Sequence, residues 1–84
     1  MRYYIDTIEQ IKGEEEGTYT EYGKRELQPA NKTFEEVESV FFTKLASVSN
    51  DIGEGKNHTF MDIKIVNSVG GIEKKDVVGT YMEG

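Results

Sequence analysis

Hydrophobic and polar positions along the chain change period once, and that change divides it into a helix flanked by strands. Between Thr33 and Ile52 the apolar residues Phe34, Val37, Phe41, Leu45, Val48 and Ile52 recur at helical spacing. At 100° per residue they fall within about 80° of one another on a helical wheel, which predicts an amphipathic helix with one buried stripe. Val40 and Phe42 flank the stripe, while Glu35, Glu36, Thr43 and Ser47 lie away from it. Thr33 followed three residues later by Glu36 is a capping-box pattern, so the start is well defined. Glu35, Glu36 and Glu38 also sit where the helix dipole favours negative charge. Ser47, Ser49 and Asn50 weaken the far end, and Gly53 is a natural residue to terminate it.

Elsewhere the period is two. Arg2 to Ile11 reads as a first strand, with Tyr3, Ile5 and Thr7 on one face and Tyr4 and Ile8 on the other. Lys12 to Gly17 reads as a hairpin tip, and Thr18 to Tyr22 as a short return strand. Gly23 to Lys32, which holds the single proline, has no period and reads as a ten-residue loop into the helix. After a connector at Gly53 to Asn57, Thr59 to Val66 alternates best, with Met61, Ile63 and Ile65 facing opposite to Phe60, Asp62 and Lys64. Asn67 to Gly71 is a turn whose glycines tolerate positive φ, and Ile72 to Tyr81 is the last strand. Residues 82–84 read as a loose tail. The expected fold is α+β and two-layered: an antiparallel sheet of about four strands with one helix on one face, in chain order ββαββ. Its 84 residues are expected to form a single domain, 1–84.

Composition narrows the partners. Hydrophobic residues are 36% of the chain and charged residues 31%, the balance of a soluble globular domain. No apolar run approaches the roughly 18–20 residues of a membrane span, and Asp6 and Glu9 interrupt any signal-peptide core. The absence of cysteine excludes disulfide and thiolate chemistry and fits a cytoplasmic location. A net charge of −6 with scattered basic residues argues against nucleic acid or an anionic membrane as partner.

The strand opening Tyr3-Tyr4-Ile5-Asp6-Thr7-Ile8, the helix entry Thr33-Phe34-Glu35-Glu36-Val37 continuing through Phe41 and Leu45-Ala46, and the turn Ile65-Val66-Asn67-Ser68 with Gly70-Gly71 carry a resemblance. Together they resemble short proteins of uncharacterised role encoded by prophages and mobile elements of Gram-positive bacteria. The resemblance implies a small accessory protein and carries over no catalytic residue.

Candidate chemistry is sparse. His58 is the only histidine, and Glu54, Asp51 and Asp62 are its nearest acidic neighbours in sequence, without a metal-ligand spacing. Glu14-Glu15-Glu16 is oxygen-rich, but consecutive side chains on a turn do not converge on a cation. Gly70-Gly71 lies between strands rather than before a helix, so it lacks a phosphate-loop context. No catalytic residue, metal or cofactor is expected, and the chain reads as a non-enzyme. Exposed aromatics can stack single-stranded nucleic acid, but here Asp6, Glu9 and Glu21 accompany the tyrosines instead of basic residues.

The strongest expectation is geometric. One helix covers one face of a four-stranded sheet, leaving Tyr4, Ile8, Phe60, Val66 and, of the adjacent Val77 and Val78, Val78 on the other. Such a surface points to a protein–protein interaction module that forms a homodimer or binds another protein. The rival reading is an acidic inhibitor, a nucleic-acid mimic that blocks a basic groove on a defence or DNA-processing protein.

Overall fold

The computed structural model describes residues 2–55 and 57–79. Its elements are β1 (Tyr3–Lys12), β2 (Tyr19–Leu27), α1 (Phe34–Gly53), β3 (His58–Asn67) and β4 (Ile72–Gly79). The strands form one antiparallel sheet in the order β2-β1-β3-β4, so the two central strands are β1 and β3 and both hairpins end in an edge. The α+β architecture and the ββαββ order are those the periodicity predicts.

The helix begins as its sequence dictates. Glu36 N donates to Thr33 Oγ1 at 3.2 Å and Thr33 N donates to Glu36 Oε1 at 3.0 Å, closing the capping box. The Thr33 backbone N–H first, and the Thr33 side chain after it, hold the Glu36 carboxyl below its ordinary range. The helix ends two residues later than the glycine pattern suggests. Gly55, not Gly53, takes the left-handed conformation (φ 69°) and donates its N–H to Ile52 O at 3.1 Å. Gly53 is the last helical residue.

The core is a single layer between helix and sheet. Val37, Phe41 and Val48 of α1 close on Ile5 of β1 and on Met61, Ile63 and Ile65 of β3, with Tyr3, Phe34, Val40, Leu45, Ile52 and Val78 at its margin. A helix about 10 Å wide spans roughly two strands spaced 4.8 Å apart. It accordingly lies over β3, reaching β4 and β1 at its sides. Eight of the nine residues of β2 are exposed.

The structure corrects the loop before the helix. Gly23 to Leu27 continues β2, pairing with β1 in unbroken register from Lys12↔Tyr19 to Tyr4↔Leu27. The connection to α1 is only residues 28–33, tightened by Lys32 N donating to Pro29 O at 3.1 Å. Polar residues on both faces of this stretch reflect a strand exposed on both sides, not a missing strand. β4 is described to Gly79, and the expected continuation to Tyr81 and the loose tail lie outside the described residues.

Phe41→Ala is expected to destabilise the domain by about 3–5 kcal/mol, because Phe41 is fully buried where helix and β3 meet. Ile8→Ala, on the uncovered face, is expected to cost less than about 1 kcal/mol. Urea denaturation followed by circular dichroism measures both.

Candidate interaction surface

Strand alternation and register place every side chain of the face opposite the helix. Four cross-strand rows run over it in the order β2, β1, β3, β4. Leu27, Tyr4, Val66 and Ile72 form an apolar row at one end. Next come Arg25, Asp6, Lys64 and Lys75, a charged row, then Gly23, Ile8, Asp62 and Val77. Glu21, Gln10, Phe60 and Gly79 form the fourth row, and beyond it Tyr19 and Lys12 extend the face on β2 and β1.

Tyr4, Ile8, Phe60 and Val66 therefore lie on the face the sequence assigns them. Val78 does not: it points to the helix and packs against the core, while its neighbour Val77 is exposed on the open face. Lys74, Asp76 and Val78 share the helix side of β4, and the pairing Met61↔Val78 fixes that parity. Nor is the apolar surface continuous, because the charged row separates the Leu27–Ile72 end from Ile8, Val77 and Phe60. Val66 is buried although no helix covers it, flanked in register by Tyr4 and Ile72.

The charged row is ordered by Arg25. Its Nε and Nη2 donate to the two carboxylate oxygens of Asp6, each at 2.7 Å, and its guanidinium lies 4.7 Å from the centre of the Tyr4 ring. The hydrogen bonds from Arg25 hold the Asp6 carboxyl below its ordinary range against a smaller opposing effect of burial. Beside this pair, Gly23 contributes no side chain next to Ile8. A hollow of about 390 Å³ results, rimmed by Asp6, Ile8, Arg25, Asp62 and Lys64. Four basic residues (Lys12, Arg25, Lys64, Lys75) and three acidic ones (Asp6, Glu21, Asp62) leave this face without net negative charge in a chain of net charge −6.

On the helix side, the part of the sheet that α1 does not reach forms a cleft of about 350 Å³ lined by Thr7, Glu9, Lys24, Glu26, Lys44 and His58, among others. Lys44 Nζ bridges it to Glu26 at 2.9 Å, and this contact is the first cause of the lowered Glu26 pKa. His58 Nδ1 lies 3.2 Å from Asp51 Oδ2 and Nε2 lies 3.4 Å from Glu9 Oε1. The two carboxylates thus meet opposite edges of one ring and do not converge on a common point. Among the described residues no group of three or more His, Cys, Asp or Glu side chains can hold a metal ion. Asp62, near His58 in sequence, is on the other face, whereas Glu9 enters from β1. The arrangement fastens the helix end to β1 and β3.

Comparison with protein-family models, with curated proteins and with solved structures finds no match to this chain. Leu27, Ile72, Val77 and Tyr19, exposed on the open face, are the surface residues that sequence reasoning leaves out. Extending the alternation Tyr19, Glu21, Gly23, Arg25, Leu27 past the glycine is the signal that finds the first of them.

Arg25→Gln is expected to return the Asp6 titration midpoint toward the ordinary aspartate value, as read by NMR of the side-chain carboxyl. Because the folded pKa is depressed, the pair stabilises the fold above the ordinary aspartate pKa. That contribution is lost as pH falls through the lowered one. The variant is therefore expected to show a weaker loss of stability on acidification than the wild type.

Proposed function

We propose that this protein is a non-enzymatic protein–protein interaction module that self-associates through its sheet. The setting its sequence resemblance implies is that of an accessory protein of a prophage or mobile element, and a sequence without cysteine fits the cytoplasm. The observation that carries this reading is the uncovered sheet: one layer of side chains is sealed by the helix, and the other keeps Ile8, Leu27, Ile72 and Val77 exposed. Charge supports it as well. A face without net negative charge is the part of an acidic molecule where two copies meet with least repulsion.

The rival reading, an acidic mimic of nucleic acid, calls for carboxylates in a row on one face. Here they are divided between the hairpin tip Glu14-Glu15-Glu16, the first turns of α1 and both faces of the sheet, with Asp6 and Asp62 on one side and Glu9 and Asp76 on the other. The outer helix surface through Ser39, Thr43, Ala46, Ser47 and Asn50 carries none. Catalysis finds no support in the convergent geometry it needs, since the His58 ring is held at both nitrogens by Asp51 and Glu9.

Light scattering coupled to size-exclusion chromatography tests the proposal. A concentration series into the high micromolar range is expected to give twice the 9.5 kDa chain mass. A single species at the chain mass throughout contradicts self-association.

A further inference from the structure

β2 is a sheet edge over its whole length, and the hydrogen bonds at its two ends fix which of its backbone groups are free. Gln28 N donates to Tyr3 O at 2.9 Å, and Gly13 N donates to Thr18 O at 2.9 Å. The register between these bonds has no shift, so the even-numbered residues of β2 turn their N–H and C=O toward β1. Tyr19, Glu21, Gly23, Arg25 and Leu27 direct theirs outward. A solitary edge of this length is ordinarily blunted by a proline or a bulge. The other edge, β4, has a register irregularity opposite Ile65 and Val66. β2 has neither proline nor bulge.

The sequence of this edge is complementary to itself. A two-fold axis at Gly23 sets Glu21 against Arg25 of the other copy twice over, Tyr22 against Lys24, Thr20 against Glu26, and Tyr19 against Leu27. No like charges meet. Moving the axis to Lys24 sets that lysine against its own copy, and moving it to Tyr22 or Lys24 loses both Glu21–Arg25 pairs. The axis at Gly23 also suits the backbone, because an outward-facing residue there exchanges both hydrogen bonds with its counterpart. Glycine, with no side chain, lets the two strands approach at that point.

We infer that β2 pairs antiparallel with β2 of a second copy about Gly23, joining two four-stranded sheets into one of eight strands with both helices on the same side. Arg25 then lies between Asp6 of its own chain and Glu21 of the other copy. This inference rests on the self-association proposed above but places the contact on the sheet's edge, with the open faces of the two copies lying side by side.

The test uses the full chain in the same light-scattering assay, with circular dichroism to confirm folding. Glu21→Arg alone and Arg25→Glu alone each place like charges across the axis and are expected to weaken the dimer about tenfold or more. An equimolar mixture of the two variants pairs opposite charges at both contacts and is expected to restore it. Gly23→Pro removes an N–H that β1 does not use and is expected to give a folded monomer. If the wild type is dimeric but the single variants stay equally dimeric, or the mixture recovers nothing, edge pairing is overturned and association through the open face stands. A wild type that remains monomeric overturns both.

Discussion

A single helix is narrower than the sheet it covers, and the rest of the molecule follows from where that helix lies. The stripe from Phe34 to Ile52 finds its partners in Ile5, Met61, Ile63 and Ile65, the inward side chains of the two central strands. Burial there is complete and excludes water from the middle of the domain. Toward β2 the helix sends Lys44, which reaches Glu26 as an ion pair, and the rest of the inward face of that strand, Thr20, Tyr22 and Lys24, is exposed. Stability is concentrated under the helix and thins toward one edge.

This gradient explains the differing character of the two hairpins. β3 and β4 sit beneath the helix, and their turn is built by Asn67, whose Oδ1 accepts from Val69 N at 3.1 Å and Gly71 N at 2.8 Å while Gly70 takes φ 90°. A Cβ at Gly71 would stand 2.7 Å from Asn67 Nδ2 and displace the amide that builds the turn. β1 and β2 are held instead by backbone pairing and by side chains that bridge the two strands, Asp6 to Arg25 and Gln10 to Glu21. Such contacts are each worth little in water, so a second strand beside β2 would add support where the fold has least.

The sequence made the helix, its capping box, the inward triplet of β3 and the Asn67–Gly71 turn legible because burial or a special backbone angle dictates each of them. Four of the five residues assigned to the open face are found there for the same reason. β2 was harder to see. Its alternation carries no contrast between apolar and polar faces, because both faces meet solvent and its partner is a backbone rather than a core. Gly23 reads as a break under those conditions, although the strand passes straight through it. Val78 and Val77 exchange roles because the adjacent pair fits either parity, and only the register of β3 with β4 distinguishes them. Glu9 beside His58 is a contact across strands and helix that sequence distance conceals.

Amide hydrogen exchange followed by NMR at low and high protein concentration tests most directly whether the uncovered sheet is completed by another chain. Amides of Tyr4, Asp6 and Ile8, directed between the two central strands, are expected to exchange slowest at both concentrations. Those of Glu21, Gly23, Arg25 and Leu27 are expected to exchange freely when dilute and to gain protection as concentration rises. Exchange at those four positions that stays fast at every concentration, or is already slow in the dilute monomer, contradicts the account.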